Sequence, residues 1–126
     1  MYEIDRSLLV VKPKKPFLDW VQGVDNDEGL TLEDVREDPS AYLIPELESP
    51  EEEHEILRVF YEGIFEAELS SWYIDPDVWP PQRDLKMFLE WFDIEFHSLV
   101  FDLLNEPIEI LDYGLDSDVE PGSNGN

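Results

Sequence analysis

The side chains best suited to catalysis in this sequence are one histidine and one isolated arginine. His97 follows Asp93 and Glu95, and a histidine beside carboxylates serves as a general base or as a pH-sensitive group. Arg83 is an isolated arginine in a strongly acidic chain, and its guanidinium suits an anionic substrate. An enzyme that uses both needs a single cleft that holds His97 and Arg83 together. The competing interpretation is that His97 is a partly buried structural side chain.

A second group of side chains is suited to recognition. Trp72, Tyr73 and Trp79 lie in or beside a proline-rich connector that ends near Arg83. Aromatic rings held on a rigid loop form preorganised binding surfaces. The competing interpretation is that the tryptophans cover the edge of the core and that Arg83 bonds a carboxylate within the fold.

Metal and cofactor chemistry has little support in the residue types. The sequence contains no cysteine, which excludes thiolate sites and disulfides. Glu51 and His54 share a helical face, but a di-iron site needs a second such pair. The acidic run from Asp25 matches an EF-hand loop only at its start, because Leu30 and Arg36 stand where that loop needs Gly and Glu. We therefore predict no metal and no cofactor.

The charge of the chain is strongly negative and unevenly distributed. The sequence has 32 Asp and Glu against 8 Lys and Arg, a net charge of −24. Residues 1–24 carry a net charge of +1, from four bases and three acids, so residues 25–126 carry −25. Such a field opposes direct binding to nucleic acid or to an anionic membrane. It favours association with a basic protein surface.

The elements that position these residues follow from hydrophobic periodicity and turn signals. The pattern predicts an α+β domain over residues 1–112, with about four helices on a three- to four-stranded sheet in the order β-α-α-β-α-α-β-β. Residues 113–126 are predicted to be a disordered acidic tail. The predicted strands are 7–12, 40–47, 94–103 and 108–111, of which 94–103 is expected to be central and 108–111 to pair back on it. The predicted helices are 14–23, 31–38, 50–72 and 83–92.

Local end signals refine these boundaries. Thr31 is expected to cap a short helix together with Asp34. Ser49 is expected to cap the long helix, with Glu52 completing the capping box. Gly23 is a predicted helix stop. Pro45 is expected to end the second strand, to form a bulge, or to mark an edge.

The lack of a recognisable membrane or secretion signal predicts a cytoplasmic protein. No apolar run approaches the roughly 18 residues of a membrane helix. The first residues, Met1–Ser7, do not have the pattern of a signal peptide.

Three phrases of the sequence, Lys15–Trp20, Ala41–Glu46 and Leu89–Ser98, resemble those of a group of small acidic bacterial proteins. The likeness covers most of residues 6–104. It implies a bacterial cytoplasmic protein. That group has no assigned activity, so the resemblance carries no catalytic or cofactor-binding residue to this chain.

These observations favour a non-enzymatic protein-binding module that meets a basic protein partner. One specific version is a DNA mimic that inhibits a nucleic-acid-binding protein, which requires carboxylates in rows at phosphate-like spacing. A second possibility is a small enzyme using His97 and Arg83 in a cleft. A third, by composition alone, is a small chaperone for a secreted protein.

Overall fold

The architecture comes from a computed structural model that describes residues 1–111. The predicted acidic tail lies outside these described residues. Four helices and two small antiparallel sheets form an α+β domain, which confirms the predicted fold class. A 3-10 turn lies at Pro76–Val78. The elements in chain order are β1 (Tyr2–Glu3), β2 (Arg6–Pro13), α1 (Lys15–Asp25), α2 (Leu32–Val35), β3 (Ser40–Pro45), α3 (Glu52–Ser70), α4 (Leu85–Trp91), β4 (Phe92–His97) and β5 (Phe101–Asp102).

Strand β2 is the centre of the main sheet. It pairs antiparallel with β3 on one side and with β4 on the other, so that Leu9 lies opposite Tyr42 and Phe96. The prediction of a central strand over residues 94–103 was therefore wrong, because β4 is an edge strand that ends at His97. β3 ends at Pro45 and is the other edge strand of the sheet. A strand end and an edge position were two of the three alternatives predicted for Pro45.

The residues after β4 pair with the start of the chain. β5 pairs antiparallel with β1, and the Ile4 N–H donates to the Val100 carbonyl at 2.9 Å. Two-stranded pairing of this kind depends on contacts between residues about a hundred positions apart. Residues 103–111 form neither helix nor strand, so the predicted hairpin strand at 108–111 is absent.

The two faces of the main sheet have different environments. Leu9 and Val11 on the inner face are completely buried under the helices, whereas Leu8 and Val10 on the outer face are half-buried. The outer face lies open to solvent, and Leu43 of β3 is 49% exposed there. The sheet therefore forms one layer and the helices a second layer on its inner side.

Aromatic side chains form the centre of the core. The Phe88 and Phe92 rings have centroids 5.0 Å apart, and the Phe65 ring packs on both. Phe17 of α1 packs on Phe92 from the other side, at 5.3 Å. Helix α4 ends at Trp91 and β4 begins at the next residue, so the helix passes into the strand without a loop.

The predictions made from helix-end signals were confirmed only in part. Thr31 and Asp34 form the expected capping box, although α2 is only four residues long. The box expected at Ser49 is absent, because the Glu52 carboxylate accepts instead from the Glu48 N–H at 2.7 Å. Helix α1 continues through Gly23 to Asp25, and the next residue, Asn26, caps it in the left-handed conformation with φ 54°.

Candidate functional site

The catalytic pair of the sequence hypothesis is not brought together. His97 lies exposed at the last position of β4, opposite Leu8 on the outer face of the sheet. Arg83 precedes α4, and its side chain is 16% exposed. The Arg83 guanidinium donates to the Glu66 carboxylate at 2.8 Å and to the Pro80 carbonyl at 2.7 Å. The arginine thus has a structural partner, as the competing interpretation required.

The aromatic residues of the connector are held together by internal contacts. The Trp79 indole N–H donates to the Tyr73 carbonyl at 2.7 Å, and the Arg83 guanidinium lies 5.7 Å from the centre of the Trp79 ring. The Tyr73 hydroxyl donates to the Val21 carbonyl at 3.3 Å. Trp72 packs edge-on against Phe17 and keeps 39% of its surface exposed. These contacts fasten the connector to α1.

The phenol of Tyr73 is further restrained by its surroundings. Its partial burial, together with the nearby carboxylates of Asp25 and Asp27, raises the pKa of Tyr73 to about 12. A phenol that holds its proton more tightly than usual remains a hydrogen-bond donor at neutral pH, and its phenolate is not available there as a general base. Tyr73 is therefore suited to a structural role.

The described surface includes two cavities that differ in shape and position. One, of about 210 Å³, is lined by Leu47–Pro50, Glu53, Phe96 and Ser98. The other, of about 440 Å³, is an open depression around α2. Neither is lined by His97 or Arg83. In residues 1–111, no group of three or more histidine, aspartate and glutamate side chains is placed to hold a metal ion.

A buried tyrosine–glutamate pair was missed by the sequence analysis. Glu68 of α3 is only 6% exposed, and the Tyr42 hydroxyl of β3 donates to its carboxylate. Burial raises the pKa of the Glu68 carboxyl, and burial beside Glu68 raises the pKa of Tyr42. The signal was present in the pattern, because Glu68 lies four residues after Ile64 and three after Phe65 on the apolar stripe of α3. The pair fastens β3 to the helix layer.

Every lysine and arginine of the chain forms an ion pair within it. The eight basic side chains each lie within 4.0 Å of a carboxylate. Most of these pairs are partly exposed, so each contributes little to stability. They nevertheless leave no unpaired basic side chain to attract acids. The pairs are Arg6–Asp5, Lys12–Glu95, Lys14–Asp93, Lys15–Asp19, Arg36–Asp93, Arg58–Glu55, Arg83–Glu66 and Lys86–Glu90.

Acidic residues without such a partner lie at both ends of β3. Two exposed acids immediately precede the Pro39–Ser40 entry to the strand, and two more follow its last residue, Pro45. Within the described part of the chain, none of the four forms an ion pair. The strand between them contains no charged residue. We call these four residues the flanking acids: Glu37, Asp38, Glu46 and Glu48.

Comparisons with known proteins add no assignment. No protein-family model, no curated protein and no solved structure matches this chain. Between residues 1 and 111 there is no helix with the length and apolar character needed to cross a membrane.

Proposed function

We propose that this protein is a non-enzymatic binding module whose partner is a protein with a basic surface. The observation that carries the proposal is the complete internal pairing of the lysines and arginines. Since every lysine and arginine already lies beside a carboxylate, the excess carboxylates are uncompensated by basic side chains, and they attract an incoming basic surface. Long-range attraction of this kind accelerates association and selects against acidic partners.

The same charge argues against other partners. A net charge of −24 repels nucleic acid and anionic lipid, so we propose neither as a direct ligand. We take the site of action to be the bacterial cytoplasm, on the resemblance of three sequence phrases to small acidic bacterial proteins. The enzyme hypothesis has less support, because His97 lies exposed at the end of β4 and the Arg83 guanidinium is bound to the Glu66 carboxylate.

The proposal is tested with the whole chain as bait. Bacterial lysate is passed over the immobilised protein and over an unrelated acidic protein of similar net charge. A partner retained only by the first is purified, and its dissociation constant is measured between 50 and 300 mM NaCl. We expect roughly tenfold weaker binding at the higher salt, because screening shortens the reach of the charges. Binding that ignores salt, or equal retention by both baits, would overturn the proposal.

The DNA-mimic version makes an additional demand on the same partner. If the purified partner binds nucleic acid, duplex DNA must compete with this protein for it. A partner that binds both ligands at once would rule out mimicry and leave the broader proposal standing.

A further inference from the structure

We infer that β3 is the docking edge, and that an extended segment of the basic partner adds to it as a fourth strand of the main sheet. In this arrangement, lysine or arginine residues at both ends of the added segment lie against the flanking acids. The inference rests on the proposed function and specifies the place and the form of the contact. It follows from the pairing of β3, from its side chains and from the charges at its ends.

The first observation is that β3 is paired on one side alone. All six of its residues lie opposite residues of β2, from Ser40 opposite Val11 to Pro45 opposite Arg6. Among residues 1–111, no backbone hydrogen bond joins β3 to any other strand or loop. An edge strand presents alternate N–H and C=O groups to solvent, and these groups recognise an extended peptide by strand addition.

The second observation concerns the side chains beside that edge. Ala41 and Leu43 are exposed on the outer face, and Leu43 lies opposite the half-buried Leu8. An added strand would place its own outer-face side chains next to Leu43, which extends the apolar surface that Leu8 and Leu43 begin. No charge within β3 opposes this approach.

The third observation is the charge at the two ends. A six-residue strand spans about 17 to 20 Å, so the flanking acids bracket a segment of about that length. Because both ends of β3 are acidic, a segment with basic residues at both ends is matched in either strand direction. Acids placed beyond the strand rather than within it leave its backbone groups free while selecting the charge of the ligand.

A second copy of this chain is a poorer occupant than a basic partner. Residues 103–111 are exposed and carry apolar side chains, including Ile108 and Ile110, that alternate as in a strand. The same segment contains Glu106 and Glu109, which would meet the flanking acids with like charge. Like charges placed opposite one another in a sheet are destabilising. Charge complementarity therefore favours the basic partner.

The direct test uses a synthetic peptide with the wild-type protein. Its sequence is Lys-Lys-Thr-Val-Thr-Val-Thr-Val-Lys-Lys, and two further peptides carry N-methyl groups on either all valines or all threonines. Methylation removes N–H donors along one edge and retains every charge. We expect the parent peptide to bind and to slow amide exchange in residues 40–44, since Pro45 carries no amide proton. At least one methylated peptide should bind about tenfold more weakly, because it cannot complete the ladder.

Two protein variants with the same charge change provide the matched control. The flank variant should lose about tenfold in affinity for the parent peptide, and the control variant less than about threefold, because its acids lie elsewhere on the surface. The flank variant is E37Q/D38N/E46Q/E48Q. The control variant is E62Q/D77N/E106Q/E109Q, whose four residues are also exposed and outside any ion pair of the described structure.

The outcomes separate this inference from the proposed function. If both methylated peptides bind as well as the parent peptide, or if both variants lose affinity equally, the attraction is general and strand addition is overturned. The proposed function would survive that result, since it requires only a salt-sensitive basic partner. If the parent peptide fails to bind while a purified basic partner does bind, strand addition at β3 is likewise overturned.

Discussion

The two edges of the main sheet differ in where they carry charge. β4 has three ionisable side chains on its exposed outer face, Asp93, Glu95 and His97, alternating along the strand. Asp93 and Glu95 are further tied by ion pairs to Arg36 and to Lys12. β3 has no ionisable group on that face, and its acids begin only beyond its two ends.

This difference indicates two uses of charge at a sheet edge. Charged side chains within an edge strand are a common protection against unwanted pairing, because an incoming strand would have to desolvate them. Charges beyond the strand ends leave the pairing groups accessible and restrict the ligand instead. By this reasoning β4 is an edge protected against strand addition, and β3 is an edge that accepts a strand with basic ends.

The edges also differ in how they are fastened to the helices. β4 is anchored by Phe92, which is almost fully buried among the rings of Phe17, Phe65 and Phe88. β3 is anchored by Ile44 and by the hydrogen bond from Tyr42 to Glu68. We therefore expect β4 to resist separation from the core more strongly than β3.

The largest effect is expected at the anchor of β4. Phe92→Ala should lower the free energy of unfolding by about 3–5 kcal/mol, because it removes a ring from the centre of the aromatic cluster. Phe101→Ala in β5 is the control, and its half-exposed ring should cost less than about 1 kcal/mol. Urea unfolding measures both. Equal losses would show that the rigidity of β4 does not come from this cluster.

The anchor of β3 gives a smaller effect that distinguishes its two faces. Ile44→Ala should cost about 2–4 kcal/mol, since Ile44 is buried against the helices. Leu43→Ala should cost less than about 1 kcal/mol, because the neighbouring Leu43 points to the open face. A comparable loss for both, measured in the same urea titrations, would contradict an uncovered outer face.

Glu68→Gln tests the second anchor of β3 through pH. Burial raises the pKa of Glu68 in the folded protein above its ordinary value of 4.5. The pKa of such a carboxyl is higher in the folded protein than in the unfolded chain. Its contribution to stability is complete below the pKa of the unfolded chain and is lost as the pH rises through the pKa of the folded protein. The stability of Glu68→Gln relative to the wild type should therefore increase from pH 4 upward, as urea unfolding at several pH values would show.

The control for this pH effect is a glutamate on the exposed side of the same helix. The difference in stability between Glu62→Gln and the wild type should change much less with pH than the difference for Glu68→Gln. A parallel pH trend in both variants would mean that net charge, and not the burial of Glu68, causes the change.

The smallest effect on stability is expected when the ionisable side chains that protect β4 are removed. Glu95→Thr/His97→Thr should change the free energy of unfolding by no more than about 0.5–1 kcal/mol, since it removes one exposed ion pair and adds residues that favour strands. The variant should nevertheless self-associate with rising concentration, which light scattering after size-exclusion chromatography detects. A variant that keeps the oligomeric state of the wild type would contradict the protective role of these charges.

The features predicted correctly from the sequence are those determined by local contacts. The apolar run before Pro13 forms β2, and the Thr31–Asp34 capping box forms within four residues. The capping box at Ser49 failed although its residue types were suitable. There, the chain preceding α3 brings the Glu48 N–H to the Glu52 carboxylate, and that hydrogen bond replaces the expected one.

The strand errors have a non-local cause. The alternation from Ile94 to Leu103 continues through Ser98–Val100, so periodicity alone predicts one strand. The structure divides it, because β5 pairs with Tyr2–Glu3 rather than with β2. Only the position of the first residues determines this division, and no local pattern contains that information.

The acidic character of the candidate site could be predicted from the sequence, but its location on the molecule could not. Composition indicated a basic partner, but it did not show that each basic residue would find an internal carboxylate. The binding residues proposed from sequence, Trp72, Tyr73, Trp79 and Arg83, are aromatic rings and an arginine in or beside a proline-rigid connector. Three of them lie in one contact network of the connector, while the proposed docking edge consists of ordinary strand residues.

The direct passage from α4 into β4 restricts how this protein can change in length during evolution. Side chains alternate between the two faces of a strand, so one residue inserted between Trp91 and Phe92 would reverse the facing of all of β4. Phe92, Ile94 and Phe96 would move to solvent, and acids would enter the core. Related sequences should therefore keep an unbroken chain at 91–92.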